Sequence, residues 1–164
     1  MLDVQQLVMD VAERTLGEDE AIETVRKSIV GAWGDGKILA LRLNASAPEL
    51  MLGWSKPTVL PSSSWKEACH RPGQVHNDAA AMLRPKDGPI ETFKIQPGYH
   101  LCFVSAFDMN NWKRYLRGKL PLGELQPVQV CGTLMQVAKV MKEGLPKDTM
   151  DDDLDQLDRL ADML

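Results

Sequence analysis

The amino-acid sequence predicts a mixed fold of the α+β type, in which helices pack over a largely antiparallel sheet. Helical spacing of apolar residues marks both ends of the chain, and alternating apolar residues fill much of the stretch between them. Of the 164 residues, 44% are hydrophobic and 26% are charged, which is typical of a folded globular domain. We expect one domain over residues 1–145, followed by a hinge and an acidic C-terminal helix over residues 146–164.

Two amphipathic helices are predicted before the first strand. Acidic residues at 18–20 favour the start of the second helix, where the helix dipole is positive. The Gly-Asp-Gly stretch at 34–36 favours its end, because glycine adopts the left-handed conformation of a helix C-terminus. The apolar residues with helical spacing are Val4, Leu7, Val8, Val11 and Leu16 in the first helix and Ile22, Val25, Ile29 and Trp33 in the second.

Alternating apolar residues predict the strands. Residues 38–44 place leucines on one face, and residues 49–54 follow as an antiparallel partner. Residues 89–95 and 99–107 flank a Pro-Gly turn, which predicts a second antiparallel pair. Residues 125–131 predict a further strand.

Shorter helices are predicted between and after these strands. Ser64 and Glu67 have the spacing of a capping box, so a short helix begins there and ends before Pro72. Helical pieces are also predicted at 74–84 and directly after Asn111. A longer amphipathic helix is predicted over 134–145.

The last 17 residues are strongly acidic. They contain seven aspartates and one arginine, a charge of −6, and because the whole chain has −4 the rest is close to neutral at +2. A near-neutral body lacks the broad positive field that nucleic-acid binding needs. Leucines at 154, 157, 160 and 164 share one stripe of this segment. It is expected either to pack on its own domain or to dock into an apolar groove of an unknown protein partner.

Composition also indicates the compartment. Three cysteines are too few and too irregular for a disulfide framework, so a reducing compartment is favoured. No apolar run approaches the ~18 residues of a membrane span, and the first residues alternate where a signal peptide would be continuously apolar. We therefore expect a soluble, cytoplasmic protein that binds no membrane.

Two segments resemble the RTX toxin-activating lysine acyltransferases. In residues 38–68, Gly53, Trp54 and Ser55 stand where that family has a Ser-Trp-Ala-type motif. Residues 103–130 resemble the family's strand that ends in Trp-Ile-Ala-Pro-Phe-Gly and leads into a basic aromatic helix. The similarity extends loosely from residue 2 to residue 131.

The resemblance implies a GNAT-like fold, in which an acyl-pantetheine thioester lies between two splayed strands. The thioester would come from acyl-CoA or from an acyl carrier protein, with no resident cofactor. Backbone N–H groups at a helix start and nearby cations would suit its phosphate or an acidic carrier. The alternative is a solvated basic face. The residues predicted for this binding are Ser105, Met109, Asn110, Asn111, Lys113 and Arg114.

The sequence departs from the family at the catalytic positions. The resemblance implies a histidine base near the end of the first helix, where this chain has "RTLGEDEA" without histidine. It also implies an aspartate where this chain has Cys102. An ordinary carboxylate at 18–20, with a pKa near ~4, is a poor acceptor for a lysine proton.

His100 and Cys102 are the alternative catalytic candidates. Strand alternation places both on one face, where a histidine beside a cysteine could produce a thiolate nucleophile. Their backbones are about 6.5–7 Å apart, so contact needs favourable rotamers. The competing interpretation is that Cys102 is an ordinary small apolar residue.

No metal site is predicted. Cys69, His76, His100 and Cys102 could supply ligands, but their spacing lacks the close cysteine pairs of zinc sites. His70 and His76 are expected in exposed loops or helix ends.

The sequence leaves two functions open. One is an acyltransferase-like protein, active or catalytically degenerate, that binds an acyl thioester or its carrier. The other is a non-enzymatic interaction or regulatory protein that acts through its acidic C-terminal helix.

Overall fold

The computed structural model describes residues 1–45, 48–50, 53–107 and 111–128. The chain forms two compact units, Met1–Gln126 and Pro127–Leu164, and all elements given below lie in the first. The predicted helix at 134–145, the domain boundary after residue 145 and the acidic C-terminal helix lie outside the described residues.

Regular elements open the chain. The Asp3 side chain accepts a hydrogen bond of 3.0 Å from the backbone N–H of Gln6 and so caps the first helix. Gly36, with φ of 64°, ends the second helix in the left-handed conformation. Both predicted helices and the strand at 38–44 are confirmed. These elements are β1 (Leu2–Asp3), α1 (Val4–Ala12), α2 (Glu18–Asp35) and β2 (Ile38–Asn44).

The remainder of the first unit contains short elements. They are β3 (Gly73–Gln74), β4 (Lys94–Ile95), β5 (His100–Ser105) and α3 (Trp112–Leu116). Short 3₁₀ helices span Ser62–Trp65, Glu67–His70, Asn77–Met82, Pro85–Asp87, Ile90–Thr92 and Leu122–Glu124. The short helix predicted after Asn111 is confirmed as α3. Among the described residues, no helix is long and apolar enough to cross a membrane.

Two predictions change in this region. The helices expected after Ser64 and at 74–84 are 3₁₀ turns. Their i+3 hydrogen bonds suit pieces this short, which prolines interrupt. Residues 125–128, the described part of the strand predicted at 125–131, contain no strand.

The main sheet has the order β1-β2-β5, and both of its strand pairs are parallel. The predicted largely antiparallel sheet is therefore wrong for this sheet. Among the described residues, antiparallel pairing is limited to the two-residue strands β3 and β4 and to an isolated bridge between Lys56 and Leu60. The reason is connectivity. α1 and α2 return the chain from the end of β1 to the start of β2, and a long irregular crossover does the same from β2 to β5. The mixed fold with helices and small sheets is as expected.

The partner of β2 also differs from the prediction. The described residues of 49–54 form turns, in which the N–H of Trp54 donates to the carbonyl of Glu49 at 3.0 Å. Leu50 and Trp54 are buried from these turns, so their apolar character serves the core without a strand. β2 pairs with β5 instead, with Leu39 beside Leu101 and Leu41 beside Phe103.

The second predicted hairpin is absent as well. β4 pairs with β3 and β5 pairs with β2, so the Pro97-Gly98 turn connects strands of two different sheets. The N–H of Gln96 donates to the carbonyl of Trp33 at 2.8 Å, which attaches this turn to the end of α2. Gly98 approaches Gly36 so closely that a Cβ on Gly98 would lie 2.9 Å from the Gly36 carbonyl oxygen. The turn is thus shaped by α2 rather than by a hairpin.

The two faces of the sheet have different surroundings. The leucines of β2 at 39, 41 and 43 are buried against the apolar residues of α2. Residues on the opposite face, such as Ile38 and Val104, are exposed at 66% and 47%. The core of the first unit therefore lies on one side of the sheet, between it and the helices.

A buried arginine attaches α2 to the irregular segment. Arg26 is fully buried and donates to the carboxylates of Glu23 and Asp87, each at 2.7 Å, and to the carbonyl of Met82. Asp87 also accepts a hydrogen bond from the backbone N–H of Arg84 at 2.8 Å. This network fixes the loop after Met82 against the helix.

Candidate functional site

A cleft of about 290 Å³ lies beside β5. Its walls come from three separate parts of the chain. These are the 3₁₀ turns at 65–72, the start of β5 with the preceding Tyr99, and the segment after α3. The lining residues are Trp65, Glu67, His70, Arg71, Pro72, Tyr99, His100, Leu101, Phe103, Pro121 and Leu125.

Aromatic rings surround His70 at the inner end of this cleft. Its imidazole stacks on Tyr99 with ring centroids 6.0 Å apart, and the rings of Trp33 and Trp65 are 6.2 and 6.4 Å away. The Nδ1 atom of His70 lies 3.1 Å from the Tyr99 hydroxyl. Burial raises the pKa of Tyr99, so its phenol stays neutral and available for this hydrogen bond.

The structure corrects the expectation for His70. It is half-buried, because the aromatic rings enclose it, whereas His76 is exposed as expected. Trp33, Trp65 and Tyr99 are too far apart in sequence for any local spacing to predict that they meet at His70. The cleft is therefore a site that sequence reasoning missed.

The polar residues of the cleft walls differ in exposure. Arg71 and Glu67 form an ion pair of 2.7 Å, and both side chains are well exposed. The indole N–H of Trp65 is buried and has no hydrogen-bond acceptor among the described residues. A buried donor without an acceptor costs about 1–3 kcal/mol. The cleft thus combines an apolar wall with a charged rim.

The predicted catalytic residues lie on β5. His100 and Cys102 occupy alternate, exposed positions of this strand, and the structure gives no hydrogen bond between them. His100 also belongs to the lining of the cleft, whereas Cys102 does not. Ser105 is half-buried and alternates with these two, so it lies on the other face of β5. The described structure thus brings His100, but not Cys102 or Ser105, to the cleft.

The predicted thioester-binding residues lie around α3. Asn111, Lys113 and Arg114 are exposed, and the Lys113 Nζ atom lies 5.7 Å from the centre of the Trp112 ring. Met109 and Asn110 lie outside the described residues.

The position of α3 is set by an aromatic contact. Phe107 stacks on Tyr115 with ring centroids 4.9 Å apart and an angle of 13° between the planes, which holds α3 at the end of β5. The chain then continues from α3 to Pro121 and Leu125 in the cleft wall.

The gap between splayed strands is not present in the described part of the sheet. β2 and β5 remain paired to their ends, with one register shift between Arg42 and Asn44. Beyond Ser105, the N–H of Ala106 still donates to the carbonyl of Asn44 at 2.7 Å. A thioester would therefore find its space in the cleft beside β5 rather than between β5 and β2.

No family model, curated protein or solved structure matches this chain. Among the described residues, no group of three or more His, Cys, Asp or Glu side chains is placed to hold a metal ion. The choice between functions therefore depends on the geometry and chemistry of the cleft.

Proposed function

We propose that the protein binds an acyl-pantetheine thioester in the cleft beside β5, as a GNAT-like acyltransferase or as its catalytically degenerate relative. The observation that supports this most is the aromatic and apolar lining of a cleft of about 290 Å³ with His100 in its wall. Ligand sites are typically concave, mainly apolar and provided with a few polar groups, as this cleft is.

The acyl chain would occupy the apolar part of the cleft. Leu101, Phe103 and Leu125 offer it aliphatic and aromatic surface, with Trp65 packed against Phe103 at 5.9 Å between ring centres. Each buried methylene contributes about 0.8 kcal/mol, so a chain of several carbons would be held without any charged contact.

The phosphate or the carrier protein would meet positive charge. Arg114 is exposed on α3, and Arg71 at the rim of the cleft would exchange the Glu67 carboxylate, its partner at 2.7 Å, for a phosphate. Arginine pairs well with phosphate, and a basic surface attracts an acidic acyl carrier protein. A free ligand would place its phosphate near Arg71, whereas a carrier protein would contact Arg114 on α3.

Catalysis, if retained, would depend on His100. As a neutral imidazole it would accept the proton of an attacking amine, or of the Cys102 thiol if the acyl group passes first to sulfur. The first route forms an amide and releases the pantetheine thiol. The second forms an enzyme thioester before the amine attacks. Because His100 lines the cleft and Cys102 does not, the first route is favoured.

Calorimetry with acyl-CoA and acyl carrier protein tests the binding. Leu125→Asp places a charge in the apolar wall and is expected to weaken acyl-CoA binding at least about tenfold, since a carboxylate there must be desolvated. Val128→Asp is the matched control, because Val128 is 79% exposed and outside the cleft. Thermal melting of each variant checks that it is folded. Absence of binding by the unmodified protein would refute the proposal.

Turnover is measured with a lysine-containing peptide as the amine acceptor, by chromatography of released CoA, because the protein's own cysteines would react with thiol reagents. His100→Ala is expected to abolish release while binding persists, and His76→Ala, an exposed histidine outside the cleft, leaves both unchanged. Binding without release by the unmodified protein would identify the degenerate form. Release that Cys102→Ala stops as completely as His100→Ala would instead establish the route through sulfur.

A second candidate function uses the acidic tail. The division of the chain after Gln126 favours it, because the tail of residues 146–164 belongs to the second unit and can be removed without cutting the first. Truncation after Leu145 is expected to abolish capture of a protein partner while the melting temperature stays nearly unchanged. A large loss of stability would make the tail part of the fold and refute this candidate.

A further inference from the structure

β5 is an edge strand of the main sheet. It pairs with β2 on one side, and among the described residues no backbone group is hydrogen-bonded to its other side. Its six residues, His100–Ser105, are long for an exposed edge, which proteins usually keep short or cover. We call this side of β5 the free edge.

The backbone groups of the free edge follow from the pairing with β2. The N–H of Ala106 donates to the carbonyl of Asn44 at 2.7 Å, so Ala106 faces β2. Backbone N–H and C=O groups of successive strand residues point to opposite sides of the strand. The groups of Leu101, Phe103 and Ser105 therefore point to the free edge, where they can pair with another strand.

The cleft runs along the free edge. His100 lies on one face of β5 and Leu101 and Phe103 on the other, yet all three line the cleft. A cavity that touches both faces of an edge strand lies at its edge. Trp65 and Leu125 add apolar surface. Unpaired backbone groups beside an apolar pocket are the arrangement that binds an added β-strand, since the backbone supplies affinity and the pocket selects side chains.

Positive charge follows at the end of β5. Residues 111–123 contain four cations and no acid, and three of these cations are exposed on or directly after α3. The stacked rings of Phe107 and Tyr115 hold α3 at this end of the strand. A segment that pairs along the free edge and continues beyond Ser105 reaches these cations, so acidic residues at that end of the segment are complementary in charge.

We infer that the free edge of β5 binds an extended peptide segment of another protein by strand addition. The segment has apolar side chains at alternate positions, which enter the cleft, and acidic residues at the end that lies over α3. The inference does not rest on the proposed thioester, because the pairing groups belong to the backbone of β5.

Amide hydrogen exchange, measured by NMR on the full chain, tests the pairing. The probes are two blocked peptides of alternating valine and threonine, one with two aspartates at its N-terminal end and the other with them at its C-terminal end. One of these peptides is expected to slow exchange at Leu101, Phe103 and Ser105. Exchange at Cys102 and Val104 is expected to stay unchanged, because their N–H groups face β2. N-methylation of alternate peptide amides keeps the side chains and is expected to weaken binding at least about tenfold.

The role of the cations is tested separately. Arg114→Glu is expected to weaken binding of the peptide at least about fivefold at low ionic strength, and high salt is expected to reduce this difference, since it screens the repulsion. Lys94→Glu is the matched control, because Lys94 is exposed and lies outside the cleft. Circular dichroism verifies that the variants fold.

Several results would overturn the inference. They are absence of binding by both peptides, equal binding after N-methylation, and an Arg114→Glu variant that binds no worse than Lys94→Glu. Slow exchange at Leu101 and Phe103 without peptide, becoming slower as the protein concentration rises, would assign the free edge to a second copy of this chain and would overturn it as well.

Discussion

Residues 1–44 and residues 53–99 form the same core by different means. The first region consists of helices and strands that cap themselves locally, through Asp3 at the start of α1 and Gly36 at the end of α2. The second consists of 3₁₀ turns and two-residue strands that have little structure of their own. Its order depends on contacts with α2, through Arg26 and through the bond from Gln96 to Trp33. Regular elements are thus stabilised from within, and the irregular segment from its neighbours.

Removal of Arg26 should release the irregular segment from α2 and cause the largest loss of stability. Arg26→Met deletes its hydrogen bonds to Glu23, Asp87 and Met82, leaves Asp87 without its counterion and leaves Glu23 with Lys86 alone. Loss of one partner from a buried ion pair typically costs about 3–5 kcal/mol, so the free energy of unfolding should fall by about 3 kcal/mol or more. Chemical denaturation measures it.

Arg71→Met is the control for this prediction, because Arg71 also pairs with a glutamate but is exposed. Its cost should stay below about 1 kcal/mol. Equal losses in the two variants would show that the Arg26 network does not support the irregular segment.

The same network predicts an acid-dependent loss of stability. The hydrogen bond from Arg26, aided by its charge and by Lys86, lowers the pKa of Glu23 from 4.5 to about 2. Because the folded pKa is below the unfolded one, this contribution is complete above pH 4.5 and is lost as the pH falls towards 2. It amounts to at most about 3 kcal/mol.

Glu23→Gln isolates this effect. The variant should be less stable than the unmodified protein at neutral pH, and the difference in unfolding free energy should vanish as the pH approaches 2. Glu91→Gln, an exposed position with no ion pair among the described residues, should behave like the unmodified protein. A Glu23→Gln difference that is constant over the whole pH range would contradict the assignment.

Two glycines sharpen the comparison. Gly36, directly after α2, contacts the irregular segment, whereas Gly31 within the helix does not. A Cβ on Gly36 would lie 2.6 Å from the Pro97 carbonyl oxygen, and its φ of 64° disfavours other residues. Gly36→Ala should therefore destabilise the protein by about 1–3 kcal/mol. Gly31 has nothing within 4 Å of its Cβ position. Gly31→Ala should stabilise by about 0.5–1 kcal/mol, since alanine is the better helix former.

Thermal denaturation of the two variants compares the signs directly. Opposite shifts in melting temperature are expected. If Gly31→Ala also destabilises the protein, added methyl groups are unfavourable along α2 in general. The loss in Gly36→Ala could then not be assigned to the contact with Pro97.

The accuracy of the sequence predictions follows the same division. The acids at 18–20 and Gly36 act on their own helix, so their roles are predicted correctly from local sequence. The pairing of β2 with β5 was not, because alternation shows that a strand has a buried face but not which strand lies beside it. Leu50 and Trp54 illustrate this, since they are buried from turns.

The candidate site was predicted only in part. Strand alternation predicts His100 and Cys102 on one face, and they occupy alternate positions of β5, but their chemistry stays a prediction. The cleft is not predictable from local sequence, because Trp65, His70 and Tyr99 come together only after the irregular segment folds against α2 and β5. A buried arginine such as Arg26 is equally hard to predict, since its partner Asp87 is distant in sequence.

Loss of the α1 cap should have a small effect on stability, since this cap belongs to the self-supporting region. Asp3 accepts a hydrogen bond from the N–H of Gln6 and pairs with Arg42. Asp3→Ala removes both contacts and should cost about 1 kcal/mol. Asp3→Asn keeps a capping oxygen but loses the charge, so chemical denaturation should show a cost below about 0.5 kcal/mol. If both variants lose the same free energy, the contact with Arg42 rather than the cap stabilises the start of α1, and this end of the regular region also depends on a neighbour.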